Sequence, residues 1–454
     1  MPEHDPSTLR VILAAVNANT RFGGEAMLPV HYFRILRERG FDAHLVCHER
    51  NREELSSTFP QDADRIHYTV DRRASRRIER AGRRLPTSVK SMSTWLLMSA
   101  IAAGDLRRTA RALVDSAPAE VVVHEPVPVS PRQPSFLRDV GAPVVVGPLN
   151  GGMTYPEGFA HEVRRSERAV RWLVRTCSDV ANRLIDGKGR AAVLFVANPR
   201  TRDALPRAAR GRRVVELVEN GVNLSRFAPR TRTPSGNPRF AFVGRLVDWK
   251  RVDLLLDALA RIPQDHTLDV VGDGPLREAL RAQAQRLGLG ERVTFHGLSS
   301  QDETARLLRG CDALVLPSVY ECGGAVVLEA MAVGLPVIAT DWGGPADYVV
   351  PEVTGLLVPP TNASEMTAAL AEAMVRLGSD RALGVAMGRA GRERVLAEFD
   401  WERKVDAVTA VYFEILGGHR AGAAVPALNI DTSEGAVAPH ERHGQFHRPT
   451  PSMR

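Results

Sequence analysis

Two glutamates eight positions apart, on either side of a glycine pair, have the residue types and spacing to bind a phosphate-bearing ligand. Glu321 follows a short apolar run, Ala313 to Pro317, that predicts a buried strand, and Glu329 lies in an apolar helical pattern after Gly323-Gly324. A strand that ends in glycines at a helix start presents free backbone N–H groups and the positive end of the helix dipole. A carboxylate inside an apolar helix is costly to bury without partners, so Glu329 indicates a ligand with hydroxyl donors. The alternative is that both are ordinary solvent-exposed acids.

Two cations earlier in the chain could neutralise such a ligand. Arg245 and Lys250 follow the predicted strand Phe240 to Gly244 and precede a helical pattern from Val252 to Ile262. Their side chains can converge on a diphosphate and stabilise the charge that develops on it. Surface cations at a helix start are common, so that interpretation also stays open.

The strand predicted from Leu268 to Val271 leads into Gly272-Asp273-Gly274-Pro275, which is not a dinucleotide fingerprint. The third glycine of that fingerprint and its acidic partner are missing. A nicotinamide-dependent enzyme is therefore not expected.

The first half of the chain places further candidate residues directly after predicted strands. They are Gly23, Gly24, His124, Asn150 and Gly151. Strand, glycine loop, helix and strand in that order predict a doubly wound parallel sheet, whose ligands lie at the carboxyl ends of the strands. We expect these loops to face one crevice. A plain turn at the glycine pair and a structural histidine remain the alternatives.

The arrangement around the two glutamates resembles the E-x7-E signature of the retaining glycosyltransferases of family 4. Seven residues separate Glu321 from Glu329, preceded by Pro-Ser and followed by Ala-Met-Ala and Gly-Leu-Pro-Val. The run from Gly244 to Lys250 is similar to that family's G-R-L-x3-K motif, and Asn220 begins a turn similar to its N-G-V-D turn. The resemblance covers most of the chain and is strongest from Phe240 to Pro345.

The resemblance implies transfer of a sugar, with retention of anomeric configuration, from a UDP- or GDP-linked donor to a hydroxyl of a glycan, a lipid-linked or a small-molecule acceptor. In that family the first glutamate lies beside the donor sugar, the amides after it hold sugar and phosphate, and the second glutamate binds the ribose. The implied catalytic residues are Glu321, His124, Arg245 and Lys250. The implied donor-binding residues are Gly23, Gly24, Arg245, Lys250, Asp273, Gly323, Gly324, Ala325, Val326 and Glu329, and the implied acceptor residues are Asn150 and Gly151. No cofactor and no metal site are expected.

Three positions depart from the family pattern. The usual Phe-Gly after the first glutamate is Cys322-Gly323-Gly324 here, Asn223 replaces an aspartate, and Arg251 stands where the family has a glycine. The first departure falls at the donor-sugar pocket, so we expect it to influence donor preference.

Length and element order predict two domains. The implied fold class is α/β with GT-B architecture, in which two Rossmann-like doubly wound parallel-sheet domains face a cleft. The expected ranges are a first domain at 8–223 completed by a C-terminal helix at 396–417, a linker at 224–237, a second domain at 238–395 and a disordered tail at 418–454.

Composition favours a protein of a reducing compartment. The chain has 454 residues and is 44% hydrophobic, and its four cysteines match neither a disulfide framework nor metal-ligand spacing. The apolar run Val11 to Val16 is too short for a signal peptide core, and Trp95 to Ala103 falls below the roughly 20 residues of a membrane span. We therefore expect a cytoplasmic protein, either soluble or peripheral on the inner face of the membrane.

An arginine-rich stretch has the pattern of a basic amphipathic helix. At 3.6 residues per turn its seven arginines fall within an arc of roughly 140°. They are Arg72, Arg73, Arg76, Arg77, Arg80, Arg83 and Arg84. Such a face could dock on anionic lipid or hold an acidic acceptor, with a solvated basic face as the alternative. Nucleic acid is not an expected partner, because a net charge of +7 is modest and no groove-reading motif accompanies it.

Other functions remain compatible with these patterns. A nucleotide-sugar epimerase or a phosphorylase on the same fold would consume donor or phosphate without a separate acceptor. A basic peripheral membrane-binding or nucleotide-binding module would bind its ligand and turn nothing over.

Overall fold

The computed structural model describes residues 5–19, 24–70, 87–117, 120–162, 176–231 and 235–421. Within these ranges the chain forms two parallel β-sheets flanked by helices, which confirms the predicted α/β class with two doubly wound domains. No helix among these residues is long and apolar enough to cross a membrane.

Seven parallel strands form the first sheet, in the order β3-β2-β1-β4-β5-β6-β7. The strands are β1 (Leu9–Ala14), β2 (Asp42–His48), β3 (Ile66–Thr69), β4 (Glu120–Glu125), β5 (Val144–Leu149), β6 (Val193–Val196) and β7 (Val214–Glu216). The direction of winding reverses between β1 and β4, and doubly wound sheets bind ligands outside the carboxyl ends of the strands at such a point.

Six parallel strands form the second sheet, in the order β10-β9-β8-β11-β12-β13. The strands are β8 (Arg239–Val243), β9 (Thr267–Val271), β10 (Val293–Gly297), β11 (Ala313–Leu316), β12 (Val337–Thr340) and β13 (Gly355–Val358). Here the winding reverses between β8 and β11. The loops after these two strands carry the predicted cations and Glu321.

Helices connect the strands of both sheets. In the first half they are α1 (Leu28–Glu38), α2 (Arg52–Thr58), α3 (Thr87–Asp115), α4 (Gly187–Arg190) and α5 (Pro199–Asp203). In the second half they are α6 (Val252–Ala260), α7 (Arg277–Arg286), α8 (Gln301–Arg309), α9 (Ala325–Ala332), α10 (Gly344–Tyr348), α11 (Ala363–Ser379), α12 (Arg381–Arg394) and α13 (Trp401–Ala421).

Apolar layers cover both faces of the first sheet. Val11 and Leu13 of β1 pack in one cluster, whereas Ile12 and Ala14 pack in another, because successive side chains of a strand point to opposite faces. A parallel sheet that is covered on both sides needs strands that are largely apolar, and β1 meets this requirement from Val11 to Ala14. This explains why its sequence shows a continuous apolar run.

The last described helix, α13, packs on the first domain although it follows the second domain in sequence. The stripe that includes Val405, Val408 and Tyr412 is buried in the same cluster as Val11 and Leu13. The helix runs to Ala421, past the predicted end of the domain at Gly417, and residues 422–454 of the predicted tail lie outside the described residues.

Several elements were not predicted from the sequence, among them the edge strand β3 and the helices α2 and α8. The helices α11 and α12 meet at Asp380, whose side chain accepts a hydrogen bond from the backbone N–H of Leu383 at 2.9 Å and so starts the second helix.

Gly272 fixes the close approach of the loops after β8 and β9. Its φ is +130°, and a Cβ atom at this position would overlap the carbonyl oxygen of Gly244. A side chain at this position therefore adds backbone strain and a steric overlap. The overlap is with the main chain of Gly244, which cannot move without disturbing the loop.

We predict that Gly272→Ala lowers the free energy of unfolding by about 1–3 kcal/mol more than Gly288→Ala does. Gly288 also has a positive φ, +70°, but an added Cβ would meet nothing within 4 Å, so it controls for strain without overlap. Urea denaturation of both variants measures the difference. Equal losses would contradict the proposed overlap.

Candidate active site

Lys250 and Glu321 meet at the switch point of the second sheet. Lys250 ends the 3₁₀ turn Asp248–Lys250 after β8, and Glu321 lies in the loop after β11. The Lys250 Nζ donates a hydrogen bond to the Glu321 Oε2, and the two side chains are only 14% and 17% exposed. The structure thus brings together two of the predicted catalytic residues, 71 positions apart, in a half-buried pair.

The N-terminus of α9 lies beside this pair. Gly324 is the residue before the helix, with φ +89°, and its carbonyl accepts from the N–H of Val327 at 2.9 Å. The first N–H groups of a helix have no partners within the helix. In α9 these are the N–H groups of Ala325 and Val326. The backbone N–H groups and the positive dipole end of α9 therefore lie next to Lys250, and this arrangement suits a phosphate group.

Glu329 faces a cavity of about 100 Å³ between the domains. Gly24 and His31 of the first domain and Ala325 and Glu329 of the second contribute to its walls. Burial raises the pKa of the Glu329 carboxyl from 4.5 to about 7, and the charge of Arg226 opposes only part of that rise. The prediction that Glu329 is an enclosed acid on an apolar helix agrees with this placement.

Neither Arg245 nor Asp273 makes a hydrogen bond or an ion pair with Lys250 or Glu321 in the described part of the chain. Arg245 is exposed and makes no ion pair with any residue that the structure describes. Asp273 accepts a hydrogen bond from the N–H of Gly274 at 2.7 Å and lies 3.4 Å from the Arg277 guanidinium. Asp273 therefore orders the start of α7, and its role towards a donor stays a prediction.

Asn150 joins the two domains. Its Nδ2 donates to the carbonyl oxygen of Cys322 at 2.9 Å, and the neighbouring Gly151 donates its N–H to the Thr201 hydroxyl at 3.1 Å. The predicted acceptor residue Asn150 thus holds the loop after Glu321 in place. A direct contact with an acceptor stays a prediction.

His124 is not brought to the cleft surface. Its ring is fully buried; Nε2 lies 2.5 Å from the carbonyl oxygen of Gly147, and Nδ1 lies 2.5 Å from the Tyr412 hydroxyl. Burial lowers the pKa of His124 to about 4, so the ring is neutral. In this structure α13 covers the ring and protein groups contact both nitrogens, so a place for His124 beside the reacting sugar stays a prediction.

Two buried acid–base pairs were not singled out from the sequence. Glu219 and Lys404 lie behind the glycine loop, and Glu125 and Lys188 lie in the first domain. Burial raises the pKa of each glutamate and lowers that of each lysine. Glu125 follows His124 directly in β4. Because successive side chains of a strand point to opposite faces of the sheet, the sequence could have indicated that these two residues have different surroundings.

Some predicted residues lie outside the described part of the chain. Gly23 is one of them, and the seven arginines from Arg72 to Arg84 are the others. Within the described ranges, no cluster of histidine, cysteine, aspartate and glutamate could hold a metal ion.

One known family matches the second domain of the chain. The family described as "Glycosyl transferases group 1" matches residues 226–394. This segment is therefore similar to the group 1 glycosyltransferases. It contains Arg245, Lys250, Glu321 and Glu329, so the pair at the switch point and the enclosed acid both lie in the matched segment.

Two curated relatives resemble the chain over part of its length. The D-inositol 3-phosphate glycosyltransferase of Mycobacterium marinum is 34% identical over 222 residues, which are 46% of this chain and 47% of that protein. The glycogen synthase of Mycobacterium tuberculosis is 31% identical over 210 residues, 45% of this chain and 50% of that protein. The chain thus spans about half the length of these relatives.

A solved structure matches nearly the whole chain. Anabaena HepE in complex with UDP superposes with a TM-score of 0.61 at 17% identity, covering 89% of this chain and 99% of that one. At this identity the likeness shows the fold alone. The two domains therefore have the GT-B architecture.

Glu329 should make stability depend on pH. Because its pKa is raised from 4.5 to about 7, the folded protein binds more protons than the unfolded chain in that window, so its contribution to stability is lost as pH rises. We predict that Glu329→Gln gains up to about 3 kcal/mol relative to wild type between pH 4.5 and pH 8.

Denaturant unfolding at these two pH values measures the gain. Glu278→Gln on α7 removes an exposed carboxylate and is the matched control, for which we expect the same difference from wild type at both values. A pH-independent difference for Glu329→Gln would contradict the enclosed environment.

Proposed function

We propose that the protein is a retaining glycosyltransferase that moves a sugar from a UDP- or GDP-linked donor to a hydroxyl of a glycan, lipid-linked or small-molecule acceptor. The observation that carries this proposal is the half-buried Lys250–Glu321 pair next to the N-terminus of α9. It combines one group suited to a diphosphate with one suited to a sugar. The match of residues 226–394 to the group 1 glycosyltransferases supports it.

The diphosphate would lie between Lys250 and the first turn of α9. Lys250 and the N–H groups of Ala325 and Val326 offer positive charge and hydrogen bonds to one site. Arg245, exposed after β8, is free to turn towards the same phosphates. Charge that develops on the leaving diphosphate would thus be stabilised by groups already in place, without a metal ion.

The nucleotide would extend into the interdomain cavity. A ribose hydroxyl that donates to Glu329 would supply the partner that this carboxylate needs. Anabaena HepE shares the fold and was solved in complex with UDP, which supports a nucleoside diphosphate as the leaving part of the donor.

The reaction would be a displacement on one face of the sugar. The bond from the anomeric carbon to the diphosphate oxygen breaks, the bond from that carbon to the acceptor oxygen forms on the same face, and the hydroxyl proton passes to the leaving diphosphate. Glu321 would lie beside the sugar and orient it. Its charge also favours the positive character that the anomeric carbon gains as the bond breaks.

A donor screen that measures released nucleotide tests the function. Purified protein is incubated with UDP- and GDP-linked sugars and acceptor extracts, with and without EDTA, and the product anomer is assigned by NMR. Acceptor-dependent release, an anomer that matches the donor, and insensitivity to EDTA are expected. Donor consumption without an acceptor would favour an epimerase, phosphate-dependent cleavage would favour a phosphorylase, and nucleotide binding without turnover would indicate a binding module.

We predict that Lys250→Ala and Glu321→Ala each lower the transfer rate by roughly a hundredfold or more, the magnitude seen when a group that stabilises transition-state charge is removed. Arg261→Ala removes an exposed cation from the same domain and should leave the rate unchanged. Circular dichroism establishes that each variant is folded. Wild-type turnover in either active-site variant would contradict the assignment.

Docking of the Arg72 to Arg84 stretch on anionic lipid stays a prediction. Co-sedimentation of wild type and a seven-arginine-to-glutamine variant with anionic vesicles measures it. Equal binding of the two proteins would reject membrane docking through these arginines.

A further inference from the structure

A segment of the first domain, Met153 to Phe159, lies along the second domain. It follows β5 in the chain, but several of its residues contact loops that connect elements of the other sheet. The Thr154 carbonyl oxygen accepts a hydrogen bond from the Trp342 Nε1–H at 2.9 Å, and the Tyr155 ring stacks on that of Tyr320 with 5.0 Å between the ring centroids. The segment therefore links the first domain to the loops of the candidate active site.

Phe159 ends this segment inside the core of the second domain. Its side chain is fully buried, and among the residues that the structure describes it is the single buried member of that core from before Val222. Gly158 allows the close approach, because a Cβ atom there would overlap the carbonyl oxygen of Thr361. A residue of one domain is thus fixed within the other.

The Phe159 ring faces the Arg251 guanidinium, whose carbon lies 4.8 Å from the ring centroid. Arg251 is only 8% exposed, and the Asp253 carboxylate accepts hydrogen bonds from its Nε and from one terminal nitrogen at 3.1 and 2.9 Å. A guanidinium over an aromatic face is attracted by the ring, and more strongly where water is excluded. Phe159 and Asp253 together therefore hold the end of this side chain.

The backbone of Arg251 closes the turn that carries Lys250. Arg251 follows Lys250 directly, and its N–H donates to the Asp248 carbonyl oxygen at 3.1 Å, at the end of the 3₁₀ turn Asp248–Lys250. Its φ of +51° and ψ of +38° are left-handed, which is unfavourable for a residue with a Cβ atom. Such a conformation persists where the surroundings hold it in place.

We propose that Phe159 is a positioning residue for Lys250. The ring holds the Arg251 side chain, the held side chain keeps the Arg251 backbone left-handed, and this backbone directs the Lys250 ammonium towards Glu321 and the first turn of α9. The inference rests on the proposed function, in which Lys250 binds the diphosphate of the donor. It adds a residue of the first domain that acts on donor binding through Arg251.

The alternative role of Phe159 is to fill the core of the second domain and nothing more. Asp253 would then hold Arg251 by itself, and loss of the ring would lower the free energy of unfolding while Lys250 stayed in place. The two roles differ in one respect: an effect of Phe159 on nucleotide affinity requires Lys250 only if Phe159 positions it.

Isothermal titration calorimetry of the full chain with UDP and with GDP measures this dependence. Phe159→Leu keeps an apolar side chain in the core and removes the ring from Arg251. We expect it to weaken the nucleotide that the wild type binds by about tenfold, the order of the loss when a hydrogen bond to a charged group is weakened. In a Lys250→Ala background the same change should alter the affinity by less than about twofold, because the group that it positions is absent. Equal losses in both backgrounds, or no loss in either, would overturn the inference.

Two further variants control for general damage to the core. Phe240→Leu removes a fully buried ring from the same core at the amino end of β8, where it stacks on His266, and should leave the nucleotide affinity as in the wild type. Arg251→Lys keeps the positive charge but loses the planar group that stacks on Phe159, and should weaken the nucleotide about as much as Phe159→Leu does. A loss in Phe240→Leu equal to that in Phe159→Leu would overturn the inference. If Phe159→Leu does not fold, wild-type affinity in Arg251→Lys overturns it instead.

The wild type separates this inference from the proposed function. If the wild type binds neither nucleotide, the proposed function fails, and the inference fails with it. If a nucleotide binds but the effect of Phe159→Leu does not depend on Lys250, only the positioning role of Phe159 fails.

Discussion

The contact between Lys250 and Glu321 is the interaction on which the rest of the site depends. It joins the loops after β8 and β11, the two strands at which the second sheet reverses its winding. A lysine and a glutamate can remain charged in a half-buried position because each compensates the other. A diphosphate would replace Glu321 as the partner of Lys250, and Glu321 would then be released towards the sugar. In the proposed function, donor binding and activation would thereby be coupled through one ion pair.

The first domain holds the glycine loop beside this pair. Asn150 binds the Cys322 carbonyl oxygen, and Trp342 donates its Nε1–H to the Thr154 carbonyl oxygen at 2.9 Å. A Cβ atom on Gly323 would overlap Glu219 and Asn220, so only glycine allows the loop to pack this closely on the hinge. The departure at Cys322-Gly323-Gly324 therefore lies at the contact between the domains. Donor preference and domain closure are expected to change together when these residues are altered.

Motifs whose residues are neighbours in the chain could be predicted from the sequence. Contacts between residues that are far apart in the chain could not. The E-x7-E spacing located Glu321 and Glu329 because strand, turn and helix follow each other directly in the chain. It could not show that Lys250 would pair with Glu321, since that contact depends on strand order. Nor could it show that Tyr412, 288 positions away in the chain, would cover His124. Arg251 has φ +51° where the resembled family has glycine, and its contacts with Phe159 and Asp253 offset that strain.

The central claim is that a nucleoside diphosphate binds between Lys250 and the N-terminus of α9. A crystal structure of the protein with UDP and one with GDP would test it most directly. The account predicts that in at least one of them the β-phosphate lies within hydrogen-bond distance of the Lys250 Nζ and of the N–H groups of Ala325 and Val326. It also predicts that the ribose hydroxyls donate to Glu329. A nucleotide bound elsewhere, with the Lys250–Glu321 pair intact and the cavity beside Glu329 unchanged, would contradict the account.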